Sequence, residues 1–191
     1  MLILDTLNKT TIWGGTRLQK FGSDPLEPHV GSLYTVAGNG ELSCMVLNGE
    51  YIGLTLYDVY RDNREMFGYD KYEPFPLLIG LVDATADLSI QIHPGDEYAR
   101  AHENAPFGKT ESWLFLEAPV SGSIVNGCKC QSRQELNERV AAGDWDNVID
   151  RLPVQKGGYV FVPTGTLHAL CAGSLVYEIQ QSTDVTYRFY D

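Results

Sequence analysis

The sequence predicts a mainly β protein, a barrel or sandwich with a few accessory helices. Two observations carry that prediction. Short alternating or continuous apolar runs follow one another along the chain, punctuated by its 19 glycines and 9 prolines. Helical signals are confined to a few short stretches, two of them opened by a capping box.

In chain order, Ile12-Trp13-Gly14-Gly15 reads as a loop with an aromatic anchor. Ser23-Asp24-Pro25-Leu26-Glu27-Pro28 is a surface turn with His29 beyond it on the surface. Leu33–Ala37 and Ser43–Leu47 read as strands, and Asn48-Gly49 as a turn. Thr55-Leu56-Tyr57-Asp58 has the capping-box spacing, so a helix is expected from about Leu56 to Met66, ended by Gly68. Pro74-Phe75-Pro76 restarts the chain, and Leu77–Leu81 is a continuous apolar run, as of a strand buried on both faces.

The segment Leu88-Ser89-Ile90-Gln91-Ile92-His93-Pro94 alternates. Ser89, Gln91 and His93 share one face of the strand, and Leu88, Ile90 and Ile92 the other. The next strand repeats the pattern with Glu111, Trp113 and Phe115 on one face. Gln91, His93 and Glu111 are therefore three potential metal ligands on neighbouring strands, and His168 in Pro163-Thr164-Gly165-Thr166-Leu167-His168 is a fourth. Between the two strands Asp96 is expected to cap a helix of one or two turns that carries a solvated His102.

Ser123–Gly127 reads as a strand and turn. Ser132-Arg133-Gln134-Glu135 is a second capping box, opening a helix with Leu136, Val140 and Ala141 as its stripe and Gly143 at its end. Asp144 starts another short helix carrying Trp145, Val148 and Ile149. Strands resume at Tyr159–Val162, Leu175–Gln180 and Val185–Phe189. In the last, Asp184, Thr186 and Arg188 share one face, with Val185, Tyr187 and Phe189 opposite.

The 191 residues allow one large domain, or a core plus a small appendage, and a hydrophobic fraction of 43% supports a real core. A formal net charge of -11 argues against nucleic acid and anionic membranes as partners. It leaves a small anionic substrate open, since a few local cations can capture one. Met1-Leu2-Ile3-Leu4-Asp5 lacks the basic start and long apolar run of a secretion signal, and no segment approaches a membrane span. A cytoplasmic protein is expected, with Cys44, Cys128, Cys130 and Cys171 reduced. Cys128-Lys129-Cys130 is one residue tighter than the usual zinc-knuckle spacing.

Gly157, Pro163, Gly165 and His168 are spaced as in the second motif of the cupin superfamily, with Ala172 where that motif usually ends in Asn. The set Phe75-Pro76-Leu77-Leu78-Ile79, Leu88 to Pro94, Gly108-Lys109-Thr110-Glu111 and Tyr177 to Arg188 resembles the short bacterial form of type I mannose-6-phosphate isomerase. Ile12-Trp13-Gly14-Gly15 resembles the opening motif of that family, so the likeness runs essentially end to end. It implies a cupin-type double-stranded β-helix (jelly-roll) barrel as one domain over residues 1–191, with helical insertions near 55–67 and 132–151. It also implies one zinc per chain, held by Gln91, His93, Glu111 and His168. Imidazole and carboxylate are ordinary zinc ligands, and a neutral amide oxygen leaves the site less saturated than thiolates would.

The implied reaction interconverts mannose 6-phosphate and fructose 6-phosphate through an enediol, with Arg188, Lys109 and Asp184 at the active site. Arg188 is permanently charged and suits oxyanion or phosphate stabilisation. Lys109 joins proton transfer if its pKa is depressed. Asp184 orients either cation or serves as base, and the residues alone do not choose the base. The zinc either polarises the reacting oxygens or mainly holds the substrate.

Three departures from the family pattern stand out. Gly31-Ser32-Leu33-Tyr34 replaces the usual Gly-Glu-x-Trp, and Gly80 stands where lysine usually follows the Pro-Leu-Leu-Ile run. The sequence ends at Asp191, where members normally continue through a second β-domain. These departures favour an alternative, a non-catalytic metal-binding cupin that binds or senses a sugar or sugar phosphate; Lys109, Asp184 and Arg188 disfavour it. An iron cupin oxygenase is disfavoured by glutamine at a ligand position. Without a second domain, Val185, Tyr187 and Phe189 form a bare apolar face on an edge strand. A homodimer is therefore expected, burying that strand or the segment around Trp145, unless Met1–Leu7 folds back over it.

Overall fold

The structure is a computed structural model and describes residues 1–68 and 74–191. In chain order its strands are β1 (Leu7–Gly15), β2 (Val30–Val36), β3 (Leu77–Asp83), β4 (Ile90–Ile92), β5 (Glu111–Glu117), β6 (Ser123–Cys128), β7 (Ile149–Pro153), β8 (Tyr159–Val162), β9 (His168–Ala169), β10 (Leu175–Gln181) and β11 (Tyr187–Tyr190). They form two antiparallel sheets, ordered β1-β2-β3-β10-β5-β8 and β11-β4-β9-β6-β7. The expected β architecture is present as these two sheets. Val82, Trp113, Phe115, Val160, Val162 and Val176 of the first sheet meet Ile124 of the second in one buried cluster, which places the core between them.

Both expected N-caps form. Thr55 Oγ1 accepts from the Asp58 N–H at 3.1 Å at the start of α1 (Leu56–Asp62), and Ser132 Oγ accepts from the Glu135 N–H at 3.1 Å. The first helix is shorter than its pattern suggested. It stops at Asn63, whose side-chain amide donates to the Val59 carbonyl at 3.1 Å, and resumes as a 3-10 turn over Arg64–Phe67. An asparagine that bonds the preceding turn competes with the helix for that carbonyl. Gly68 closes the turn at φ 71, as expected of a left-handed cap. Between β4 and β5 lies α2 (Asp96–His102), whose cap is Gly95 rather than Asp96. The Asp96 carboxylate is committed elsewhere: it accepts from the Gly108 N–H at 2.8 Å and from the Gln181 amide at 3.0 Å.

Three further expectations are corrected. Ile12-Trp13-Gly14-Gly15 is the end of β1, not a loop. Its glycines serve close approach: a Cβ on Gly14 would fall 2.1 Å from the His29 carbonyl oxygen, and one on Gly15 2.4 Å from the Asp83 carboxylate. Ser43–Leu47 makes only isolated bridges, to Gly38, Leu4 and Thr55, because no continuous strand runs alongside it. The second insertion contains α3 (Arg133–Ala141) and α4 (Trp145–Val148), but from Ile149 the chain is already β7, paired with β6.

Part of the apolar face expected to be bare on the last strand, Phe189, packs within the chain. Phe189 packs on the cluster of Ile90, Val125, Leu167 and Ala169, its ring edge-on to Trp145 at 5.9 Å, and Tyr190 stacks on Trp145 at 3.9 Å. The segment that does this is the helical insertion, not Met1–Leu7, which is tied instead to β2 and to Val46. Among the described residues no helix is long and apolar enough to cross a membrane.

One ion-pair network holds an end of the first sheet. Arg17 pairs with the fully buried Asp83 carboxylate at 2.6 Å and with Glu117 at 2.7 Å, and donates to the Gly173 and Ser174 carbonyls. Removing the cation leaves Asp83 charged and buried. Arg17→Met is therefore expected to cost about 3 kcal/mol in urea unfolding; a loss indistinguishable from zero would show the network to be dispensable.

Candidate metal centre

Register across the second sheet builds the site. Gln91 on β4 stands opposite His168 on β9 and Arg188 on β11, and His168 stands opposite Asn126 on β6. Directly paired residues send their side chains to the same face, so Arg188, Gln91, His168 and Asn126 form one row. His168 is buried in that row, and His93, just beyond β4, is buried beside it with ring centroids 4.7 Å apart. Glu111 enters from the first sheet at the start of β5, equally buried.

The ligand atoms of His93, Glu111 and His168 lie within 4.8 Å of one another. Each imidazole is oriented through its other nitrogen. His93 Nδ1 donates to the Val185 carbonyl at 3.1 Å and His168 Nδ1 to the Thr166 carbonyl at 2.9 Å. A carbonyl oxygen can only accept, so both Nδ1 atoms carry the proton and both Nε2 atoms present lone pairs. Those lone pairs face the Glu111 carboxylate, Nε2 of His168 at 3.2 Å from one oxygen and Nε2 of His93 at 3.6 Å from the other. Acceptor therefore faces acceptor. All four atoms are buried without a hydrogen-bond partner, an arrangement that a shared cation reconciles. This group could hold a metal ion, and its donor set of two neutral nitrogens and a carboxylate suits one. Gln91 is half-buried beside His168 in the same row.

The electrostatics agree. Burial, reinforced by the neighbouring Lys109 charge, lowers the His93 pKa to about 3, which keeps the imidazole neutral and available. Burial works against the Glu111 anion, but Lys109 and the two imidazoles outweigh it and hold its pKa below the usual range. Lys109 Nζ lies 3.4 Å from the Glu111 carboxylate. Its expected depression is not found. Burial does pull its pKa down, yet the charges of Glu111, Glu178 and Asp184 prevail and raise it above the ordinary lysine value. Lys109 is a fixed cation.

The other two sequence candidates are placed differently from each other. Arg188 is exposed at the end of the ligand row and makes no ion pair among the described residues. Asp184 does not share a strand face with it, because β11 begins only at Tyr187. Its carboxylate instead meets Lys9 at 3.3 Å.

Glu178 was not singled out from the sequence. It lies in a row of the first sheet that reads Tyr34, Gly80, Glu178, Trp113. Its carboxylate accepts from Trp113 Nε1 at 2.9 Å, and Trp113 packs edge-on against His168 with centroids 5.6 Å apart. Burial, with the Glu111 charge added, raises its pKa to about 7. The signal was available: Val176, Glu178 and Gln180 alternate, and the acid falls on the face of a buried valine. The same row explains Gly80. A Cβ there would lie 2.6 Å from the Leu33 carbonyl oxygen, so a lysine could enter only if β2 moved away. Closing that gap sets the buried Tyr34 against the site, where the charges of Asp184, Glu178 and Lys109 all act on its hydroxyl.

Comparison with known proteins identifies the family. The family model described as phosphomannose isomerase type I, catalytic domain, matches residues 1–111. A probable mannose-6-phosphate isomerase of Bacillus subtilis is 41% identical over 191 residues, all of this chain and 61% of that protein. The mannose-6-phosphate isomerase of Streptococcus mutans is 40% identical over the same length, 60% of its own. The crystal structure of a Bacillus subtilis mannose 6-phosphate isomerase superposes with a TM-score of 0.94 at 38% identity, covering 100% of this chain and 61% of that one. The chain thus spans about three fifths of the length of the relatives it matches. With a catalytic-domain model matched over more than half its length, the chain belongs to the type I phosphomannose isomerase family.

Proposed function

We propose that this chain carries the zinc-dependent aldose–ketose isomerase centre that interconverts mannose 6-phosphate and fructose 6-phosphate. The observation that carries the reading is the buried set of unpartnered ligand atoms on His93, Glu111 and His168. Gln91, next to His168 in the row, completes the four-ligand set through its amide oxygen. When bound, zinc supplies a Lewis acid for the substrate's carbonyl and hydroxyl oxygens.

The chain's own groups divide the remaining work. Glu178 takes the C2 proton of the open-chain aldose and returns it at C1, while the hydroxyl proton on O2 passes to O1 in the enediolate. The carbon-to-carbon transfer suits a carboxylate whose pKa is raised to about 7. Trp113 holds that carboxylate in place by its indole N–H. Lys109, charged and buried, and Arg188, charged and without an ion-pair partner among the described residues, stabilise the negative charge that develops on the enediolate oxygens. Asp184, engaged with Lys9, is better placed to set the charge at the mouth than to serve as base.

A coupled assay for fructose 6-phosphate tests the reading. Turnover should disappear on chelation and return with added zinc. Arg188→Ala should retain its metal and lose about 10²-fold in kcat, or about 2.7 kcal/mol of transition-state stabilisation. Sugar-phosphate binding with no turnover under any metal would support the non-catalytic reading instead, and wild-type turnover in the variant would remove Arg188 from the mechanism.

A further inference from the structure

We propose that Lys9 is the substrate's phosphate anchor, held in place by Asp184 until the phosphate takes over the contact; this rests on the isomerase reading above. A sugar phosphate brings a charge near −2 at neutral pH. The chain itself carries -11, so its overall field repels such a ligand and capture depends on cations local to the site.

Four cations among the described residues are candidates, of which Arg100, on the cavity wall beside Thr110 and Gln181, donates to the Pro106 carbonyl at 3.2 Å. Lys109 is buried and committed to the Glu111 carboxylate at 3.4 Å. Arg188 stands opposite Gln91 at the end of the ligand row, and so serves the reacting end of the substrate. Lys9 remains. It lies on β1 opposite Ser32, two residues before Tyr34 on β2, and its ammonium meets Asp184 at 3.3 Å across 175 residues of sequence. Both side chains are largely solvated, at 48% and 70% exposure. A single-contact pair in that setting is weakly held and exchanges readily for a dianion.

The order of the groups matches the shape of the ligand. A series of charges links the metal ligands to Lys9: Lys109 lies 3.4 Å from the ligand Glu111, the charge of Asp184 acts on both Lys109 and the Tyr34 hydroxyl, and Asp184 meets Lys9 at 3.3 Å. An open-chain hexose 6-phosphate has its reacting carbons, C1 and C2, at one end and its phosphate at the other. With C1 and C2 at the metal, the phosphate falls towards the Lys9 end of that series.

The test uses the zinc-loaded chain with mannitol 1-phosphate, which cannot isomerise, titrated by calorimetry beside neutral mannitol and beside steady-state kinetics. Lys9→Ala should weaken mannitol 1-phosphate binding by about tenfold or more while leaving mannitol unaffected. It should raise KM while kcat stays within about threefold, and Lys9→Arg should restore both. Asp184→Asn should tighten mannitol 1-phosphate binding, because it removes the competing carboxylate. A pair that only braces the fold would leave phosphate affinity alone in both variants. Turnover and mannitol 1-phosphate binding that ignore Lys9 would overturn this proposal and leave the isomerase reading standing. Binding that depends on Lys9, without turnover, would support the proposal and overturn the isomerase reading. A wild-type chain that neither turns over nor binds mannitol 1-phosphate would overturn both.

Discussion

Replacing His93 and His168 together by alanine is expected to reduce bound metal from about one ion per chain to a trace and to lower kcat by at least about 10³-fold, or about 4 kcal/mol. Each imidazole is locked by a backbone carbonyl, so its lone pair has one direction to face. With both removed, the Glu111 carboxylate beside the Lys109 ammonium and the Gln91 amide are what remain of the set, and one carboxylate with one neutral amide is a poor zinc site. Elemental analysis of protein purified without chelator reads the result, and full occupancy in the double variant would sink the assignment. Thermal stability gives a second readout. A ligand at 100 times its Kd stabilises the folded state by about 2.7 kcal/mol, so zinc should raise Tm in the native sequence and not in the variant.

The same histidine sets how the metal-free protein responds to acid. The folded-state pKa of His93, about 3, lies below its ordinary value. Between the two, the unfolded chain binds the proton and the folded one does not. Stability therefore falls as pH drops from about 6.5 towards 3. Bound metal adds to this loss, because acid must then displace it.

Glu178→Gln should produce opposite changes in activity and stability. Glutamine still accepts from Trp113 but cannot take a proton from carbon, so kcat should fall by about 10²-fold or more while metal content holds. Stability should move the other way. The folded-state pKa of Glu178 is raised to about 7, so from its unfolded value up to there the folded state holds the proton more tightly. Ionising it costs stability as pH rises through that window, and the loss is complete above about pH 7. Glutamine carries no such cost, and the variant should unfold at a higher temperature than the parent at pH 8. In the parent, kcat/KM should fall on the acid side with an apparent pKa no higher than about 7, since a nearby dication lowers it. Native activity in the variant would take Glu178 out of the reaction.

That Gln91, His93 and Glu111 could line one site was legible because strand alternation is a local code. Gln91 and His93 are two residues apart, and Glu111 and Trp113 repeat that spacing, so each pair must share a face wherever the strand goes. The N-caps at Thr55 and Ser132 were legible for the same reason, since donor and acceptor lie three residues apart. Errors came where a local signal met a distant partner. Asp96 has the composition of a helix cap but is held by Gly108 and Gln181, and Gly14-Gly15 has the composition of a turn but admits neighbouring chain at close range.

By itself the sequence determined the β class, the faces of the strands and which side chains could ligate a metal, because all of these follow from spacing within a few residues. Only the tertiary structure decided their electrostatic roles. It put Glu178 against Trp113 and raised its pKa, surrounded Lys109 with carboxylates and kept its charge, and tied Lys9 to Asp184 rather than Asp184 to Arg188. Proton affinity is set by burial and by charges within a few ångströms. Those neighbours come from strands far apart in the chain, as Trp113 and Glu178 are at 65 residues, whose register no local pattern specifies.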